Sequence, residues 1–223
     1  MNVYLCGQKY FGGLALEMVI AEGHTIAGVS APPGDRLWAA AERLGLPLLP
    51  AGRLNAETLP ANIDLIVCAH SHDFIGRKTR NAVKLGAIGY HPSLLPLHRG
   101  RDAVRWAVKQ RDRVTGGTVY WLNDTVDGGP IAAQRHVFVR SEWTAEELWR
   151  ESLQPLGVEL LRKALRDIAG GLIVRVPQDH RLATWEPSLT QPPLYRPDLP
   201  QLGLMPDGYR VLVDSLDEMA VLM

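Results

Sequence analysis

The sequence predicts an α/β fold, in which a mostly parallel sheet has helices on both faces and a short Pro-rich C-terminal extension follows. Short apolar runs alternate with helix-like patterns through the first half of the chain, which is typical of right-handed βαβ units. Several runs are continuously apolar, as in strands that are covered on both faces. Six prolines lie between residues 187 and 206, where they break regular elements. We therefore expect a folded domain over residues 1–178 and an extension over residues 179–223.

Glycines divide the first half into its elements. Continuous apolar runs bounded by turn residues predict buried strands, and apolar residues at helical spacing before a glycine predict helices. Ligands bind beyond the carboxyl ends of the strands in sheets of this kind. The predicted order is a strand at 3–7, a helix at 14–20, a strand at 25–29, a helix at 37–44, a strand at 64–69, a helix at 78–84 and a strand at 87–90.

The second half continues with longer elements. A helix at 103–109 and a strand at 117–122 precede a half-exposed strand at 131–139, where apolar and polar residues alternate. Thr144 and Glu147 fit a capping box at the start of a long amphipathic helix that reaches residue 168, with a break expected at Pro155. The extension is predicted to contain a strand at 209–213 and a short helix.

The bulk composition is that of a cytoplasmic globular protein. The 223 residues are 46% hydrophobic, and 24 basic side chains balance 24 acidic ones. That balance argues against sequence-independent nucleic-acid binding, and no apolar run is long enough to span a bilayer. The amino terminus lacks a basic region and begins at once as a strand, which argues against a signal peptide. Cys6 and Cys68 lie in apolar runs and are predicted to be reduced core residues.

The strongest candidate for chemistry is a histidine followed by a distant carboxylate. His91 ends the predicted strand at 87–90 and enters a turn stiffened by Pro92 and Pro96, and Asp127 lies in a Gly-rich turn. An imidazole can donate a hydrogen bond to a developing oxyanion or pass a proton, and a carboxylate can orient and charge it. A structural histidine and a simple Asp-Gly turn remain alternatives.

Two other patterns are weaker indications of a binding site. His70 and His72 lie on one face of a strand and, with His91, raise a metal-dependent enzyme as an alternative. No paired cysteines or His-Glu-x-x-His pattern supports that metal, so no metal site is predicted. Gly7 and Gly12 do not fit the G-x-G-x-x-G spacing of a dinucleotide loop, and close helix–strand packing explains them better.

The words His91-Pro92-Ser93-Leu94-Leu95-Pro96, Arg99-Gly100 and Asp127-Gly128-Gly129-Pro130-Ile131 resemble the signature of the formyltetrahydrofolate-dependent formyltransferase family. The resemblance implies a Rossmann-like fold, 10-formyltetrahydrofolate as donor cosubstrate, and His91 with Asp127 as the catalytic pair. It also implies two segments that hold the pterin, largely through backbone groups. These segments comprise Phe74, Ile75 and Gly76, and Asn123, Asp124, Thr125 and Val126.

The chain departs from the family two residues before the histidine. Most members have an asparagine there whose amide helps to bind the formyl oxygen, and this chain has Gly89. Loss of one oxyanion donor costs on the order of 3 kcal/mol in sites built around it. The hydrolase domain of 10-formyltetrahydrofolate dehydrogenase also lacks that asparagine, and residues 7–12 and 183–186 resemble this branch.

The resemblance therefore implies an enzyme that transfers the formyl group of 10-formyltetrahydrofolate to a small amine. Two alternatives stay open: a hydrolase that releases formate and tetrahydrofolate, and a non-catalytic folate-binding protein. The expected partners are the folate donor and a small acceptor or water, with neither nucleic acid nor membrane. The apolar tail after Val211 suggests a self-association surface, and hence a homodimer, or a strand added to the sheet.

Overall fold

A computed structural model describes residues 1–71 and 73–189 of the chain. The strand and helix predicted in the tail, and most of the extension, lie outside the described residues. His72, one of the candidate metal ligands, also lies outside them.

Seven strands and six α-helices make up the described part of the chain. A π-helical turn at Trp149–Leu153 joins the fifth helix to the sixth, and a 3₁₀ turn lies at His180–Leu182. The strands are β1 Asn2–Gly7, β2 Thr25–Ala31, β3 Leu48–Pro50, β4 Leu65–Ala69, β5 Ala87–His91, β6 Val114–Trp121 and β7 Ile131–Phe138. The helices are α1 Lys9–Ala21, α2 Arg36–Arg43, α3 Arg77–Asn81, α4 Ala103–Lys109, α5 Ala145–Leu148 and α6 Gln154–Ala169.

The strands form one sheet in the order β3-β2-β1-β4-β5-β6-β7. The first five are parallel, and β6 and β7 add to the β5 edge in antiparallel pairing. The 3-2-1-4-5 order is that of a doubly wound sheet, which confirms the predicted Rossmann-like fold. His91 is the last residue of β5 and therefore lies at the carboxyl edge, where such sheets bind ligands.

The alternating side chains of the central strands divide the core into two layers. In β1, Leu5 packs with helices α1, α2 and α6 on one face, whereas Tyr4 and Cys6 pack into a smaller cluster on the other. Cys6 lies opposite Cys68 of β4, and both are buried free thiols, as the sequence predicted. No helix among the described residues is long and apolar enough to cross a membrane.

Close packing explains the glycines at the start of the chain. A Cβ atom on Gly7 would lie 2.5 Å from the Ala69 carbonyl oxygen, and one on Gly12 would lie 2.9 Å from Leu37 Cδ2. Both distances are too short for carbon, so α1 approaches the sheet and α2 only because these residues have no side chain. The packing interpretation of these glycines is therefore confirmed.

The long helix predicted after Thr144 is interrupted near the expected place. Its capping box is present, since Thr144 Oγ1 accepts from the Glu147 backbone N–H and the Glu147 carboxylate accepts from the Thr144 N–H. Pro155 lies in the first turn of α6, where its missing N–H costs least. The interruption itself is the π-helical turn that lies between α5 and α6, just before this proline.

Candidate active site

The imidazole of His91 is buried and fixed through one of its two nitrogens. The residue is 6% exposed, and its Nε2 lies 2.6 Å from the backbone carbonyl oxygen of His98. A carbonyl only accepts hydrogen bonds, so Nε2 carries a proton and donates it. Nδ1 faces Asp127 Oδ2 at 3.5 Å, which is too long for a direct hydrogen bond. Nδ1 is therefore the nitrogen that faces the site.

The turn after His91 is held by a network of uncharged groups. Thr118 of β6 donates from Oγ1 to the Ser93 carbonyl at 2.7 Å and accepts from the Leu95 N–H and the Gln134 amide. Ser93 Oγ donates to the Leu97 carbonyl, and the Leu95–Pro96 peptide is cis. Ser93 and Thr118 are fully buried, so water does not compete for these bonds.

His98 anchors the carbonyl to which His91 donates. Its backbone is left-handed, with φ of 54°, and its side chain is buried between two carboxylates. Nε2 lies 2.8 Å from Asp112 Oδ2, and Nδ1 lies 3.0 Å from Glu186 Oε1, off the direction of a good hydrogen bond. Burial alone would lower the pKa of His98, but Glu186 and Asp112 outweigh it and the net pKa is raised. The charged imidazolium is therefore favoured.

Asp127 is held by both oxygens of its carboxylate. Oδ2 accepts from the Gly100 backbone N–H at 2.8 Å, and Oδ1 accepts from the Tyr120 hydroxyl at 2.5 Å. Its own backbone has φ of 49°, a conformation that aspartate tolerates better than most residues. A Cβ on Gly129 would lie 1.7 Å from the Trp121 carbonyl oxygen, so only glycine fits at that point of the turn.

A buried arginine connects this turn to the segment near residue 180. Arg99 donates from Nε and Nη2 to Gln178 Oε1, and the Gln178 amide donates to the carbonyls of Asp127 and Gly129. The Arg99 backbone N–H also donates to the Thr184 carbonyl. Residues between 178 and 186 thus contact both the turn after His91 and the turn of Asp127.

The two segments predicted to hold the pterin lie next to each other. Arg80 is buried and donates both to the Ile75 carbonyl and to Asp124 Oδ1, while Arg77 pairs with the same carboxylate from the surface. The hydrogen bond from Arg77 lowers the pKa of the Asp124 carboxyl against a smaller effect of burial, and Arg80 lowers it further.

Within these segments the predicted residues differ in accessibility. Phe74 is 45% exposed and Val126 is 37% exposed, whereas Ile75 is buried and Gly76 caps α3. The Asn123 side-chain oxygen accepts from the N–H and hydroxyl of Thr125, which shapes the second loop. Phe74 and Val126 therefore expose apolar surface beside a loop whose backbone is held by the Asn123 side chain.

Gly89, where the resemblance led us to expect an asparagine, has close neighbours on both sides. It pairs with Cys68 of β4 on one side and with Tyr120 of β6 on the other. A Cβ atom here would lie 3.1 Å from Leu122 Cδ1 and 3.5 Å from both Cys68 Cβ and Tyr120 Cε1. Only the Leu122 distance is shorter than ordinary packing, so a Cβ atom here would require a small shift of that methyl group.

Three contributors to the site were not predicted from the sequence: Tyr120, the Gly100 N–H and Gln178. The sequence indicates only an apolar strand at Tyr120, because nothing local indicates an antiparallel register that sets it opposite Gly89. Arg99 and Gly100 lie in a motif that by itself indicates no role for them. Over residues 1–71 and 73–189, no group of three or more histidine, cysteine or acidic side chains could hold a metal ion.

The sequence matches known proteins over this site. A family model described as Formyl transferase matches residues 51–165, just over half of the chain. The chain is 34% identical over 201 residues to mitochondrial 10-formyltetrahydrofolate dehydrogenase of Mus musculus, covering 83% of the chain and 22% of that protein. It is 30% identical over 206 residues to methionyl-tRNA formyltransferase of Lactobacillus delbrueckii subsp. bulgaricus, covering 85% and 65%.

A solved structure supports the fold independently. A 4-N formyltransferase from Francisella tularensis superposes with a TM-score of 0.70 at 20% identity, covering 83% of this chain and 75% of that one. This chain spans about a fifth of the length of the dehydrogenase that it matches. With the family match and the shared fold together, the chain belongs to the formyl transferase family.

Proposed function

We propose that this chain transfers the formyl group of 10-formyltetrahydrofolate to a small amine acceptor, with His91 and Asp127 as the reacting pair. One observation carries the proposal: His91 Nδ1 and Asp127 Oδ2 face each other at 3.5 Å at the carboxyl edge of the sheet. The remaining polar atoms of both side chains are occupied by the protein, so this gap is where their chemistry can act. The similarity to a 10-formyltetrahydrofolate dehydrogenase supports 10-formyltetrahydrofolate as the donor.

The two nitrogens of His91 have different roles in this proposal. Nε2 donates to the His98 carbonyl and fixes the plane of the ring. Nδ1, when protonated, donates a hydrogen bond to the formyl oxygen as it becomes an oxyanion. Because the His91 side chain is buried, a hydrogen bond from it contributes more than it would in bulk solvent.

Asp127 stabilises the protonated form of His91 and accepts the proton of the nucleophile through a water molecule. The amine nitrogen attacks the formyl carbon, and a tetrahedral intermediate forms without a covalent bond to the enzyme. The carbon–N10 bond then breaks and N10 takes up the proton, which gives tetrahydrofolate and a formamide. Water in place of the amine gives formate through the same steps.

The pterin-holding roles of residues 74–76 and 123–126 are part of this proposal. Arg80 links the first segment to Asp124 of the second through its guanidinium group. The half-exposed Phe74 and the partly exposed Val126 offer apolar surface for a flat ring. Backbone amides and carbonyls beside them supply the hydrogen bonds that orient it.

The acceptor is identified by incubating the full chain with 10-formyltetrahydrofolate, with and without a pool of small amines. Tetrahydrofolate formation that depends on an amine supports transfer, and formate release without any amine supports hydrolysis. Folate binding with no turnover under either condition would contradict the proposed activity and leave a binding protein.

Replacement of His91 tests the assignment of the site. His91→Ala should reduce turnover by about 10²-fold or more, because both general acid–base and oxyanion stabilisation are lost. His136→Ala is the matched control, since His136 is an exposed histidine on β7. Similar turnover of both variants would contradict the role of His91.

A further inference from the structure

The hydroxyl of Tyr120 makes a contact that neither the motif nor the proposed reaction includes. Its oxygen lies 2.5 Å from Asp127 Oδ1, at the short end of the range for a hydroxyl and a carboxylate. Burial and the adjacent Asp127 raise the pKa of Tyr120 well above its usual value. The phenol therefore stays protonated and donates a hydrogen bond to the carboxylate.

Tyr120 lies on the strand next to Gly89. The two residues are direct partners across the antiparallel β5–β6 pair, and partners of this kind project from the same face of a sheet. The ring of Tyr120 lies beside Gly89, with Cε1 3.5 Å from where a Cβ would be. The phenol therefore packs over Gly89 on the same face of the sheet that carries its bond to Asp127.

The geometry of Asp127 shows what the phenol adds. The Gly100 N–H holds only Oδ2, so the carboxylate could still swing about that single bond. The hydroxyl on Oδ1 provides a second point of attachment, and two points fix the plane of the group. With the plane fixed, Oδ2 points at His91 Nδ1.

We propose that Tyr120 is a positioning residue that holds the Asp127 carboxylate toward His91. This inference rests on the proposed function, in which Asp127 supports protonated His91. The phenol acts through the carboxylate and does not itself touch the substrate oxygen.

The chain contains a matched control for the loss of this hydroxyl. Tyr90 is a second strand tyrosine, and its buried hydroxyl donates to the Leu153 carbonyl at 2.6 Å, on the core side of the sheet. Tyr90→Phe and Tyr120→Phe each remove one oxygen atom and one hydrogen bond. Only Tyr120→Phe removes a contact with Asp127.

Steady-state kinetics of the full chain with 10-formyltetrahydrofolate separate positioning from a structural role. Tyr120→Phe should lower kcat about tenfold or more with little change in the KM for the folate, because the lost bond acts on a charged group during the reaction. Tyr90→Phe should leave kcat unchanged, and the melting temperatures of the two variants should be similar. Wild-type kcat in Tyr120→Phe overturns the inference.

A double-mutant cycle shows whether Tyr120 acts through Asp127. In an Asp127→Asn background, Tyr120→Phe should cause no further tenfold loss of the residual rate. Equal losses in both backgrounds overturn the inference. Wild-type turnover of Asp127→Asn would instead overturn the proposed function. An inactive Asp127→Asn with a fully active Tyr120→Phe would overturn only the inference.

Discussion

The two sides of the site are held in place by different kinds of interaction. On the catalytic side, buried and mostly uncharged hydrogen bonds fix the turn after His91, with Ser93 and Thr118 fully inaccessible to water. On the pterin side, one carboxylate, Asp124, bridges two arginines, and the outer one, Arg77, is 67% exposed. The frame of the proposed catalytic pair is therefore buried, whereas that of the proposed pterin segments is partly exposed to solvent.

This difference indicates which part of the site is more sensitive to salt and to substitution. Buried hydrogen bonds among uncharged groups are not screened by salt, whereas ion pairs near the surface are. We therefore expect the proposed pterin segments to tolerate substitution better than the turn after His91.

The largest effect is expected from breaking the catalytic side at Gly129. In Gly129→Ala, the new methyl group would lie 1.7 Å from the Trp121 carbonyl, so the turn that presents Asp127 must move. We expect turnover to fall by about 10²-fold, because small displacements of a reacting group are costly. Steady-state rates and the melting temperature measure this.

The control for that substitution is Gly13→Ala. A Cβ on Gly13 meets nothing within 4 Å, and the residue lies within α1, where alanine is favoured over glycine by about 0.5–1 kcal/mol. Its rate should equal that of the wild type and its melting temperature should not fall. Equal rates of Gly129→Ala and wild type would show that the turn is not constrained as described.

A smaller effect is expected from loosening the pterin side at Arg80. Arg80→Ala removes the donor to the Ile75 carbonyl and the inner half of the bridge to Asp124. The KM for 10-formyltetrahydrofolate should rise about tenfold while kcat changes less, since hydrogen bonds of charged groups that orient a ligand contribute on this scale. Titration with a folate analogue measures the same loss directly.

Arg77→Ala is the matched control on that side. Arg77 pairs with the same carboxylate but is two-thirds exposed, so solvent replaces most of its contribution. We expect little change in KM. An equal rise of KM in both variants would mean that the charge on Asp124, rather than the link to Ile75, is what matters.

The smallest expected effect concerns pH, and it has opposite signs on the two sides. The pKa of His98 is raised in the folded state, so the stability from its pairs with Asp112 and Glu186 is fully present below about pH 6.5 and is lost as pH rises through the folded pKa. The melting temperature of wild type relative to His98→Gln should therefore decrease by about a few degrees as pH rises from 6.

Asp124 provides the contrasting measurement. Its pKa is lowered, so its contribution is present above about pH 3.9 and is lost only as pH falls through the folded pKa. The difference between wild type and Asp124→Asn should stay constant between about pH 6 and 9, where His98→Gln shows its trend. A parallel trend in both variants would remove the distinction between the two sides.

The elements of the parallel half were predictable because their signals are local. Buried parallel strands such as β1 and β4 are continuous apolar runs ended by turn residues, and each was placed within a few residues. The positions of His91 and Asp127 followed from the same turns. The short edge strand β3 was not predicted, because its three residues are not buried and are too few to show an apolar pattern.

The contacts that tune the site were not predictable because they depend on long-range register. The bond of Tyr120 to Asp127 requires β6 to pair antiparallel with β5 at one register. The donation from His91 to the His98 carbonyl accompanies a left-handed backbone at His98, whose side chain pairs with residues 112 and 186, distant along the chain. Neither can be obtained from the residues one by one.

The turnover of Asp127→Asn compared with wild type tests the central claim most directly. The asparagine keeps the size of the side chain and one acceptor but removes the charge that supports protonated His91. With 10-formyltetrahydrofolate as substrate, we predict a loss of about 10²-fold or more in tetrahydrofolate formation with little change in folate binding. Near-normal turnover of Asp127→Asn would contradict the His91–Asp127 pair as the centre of the reaction.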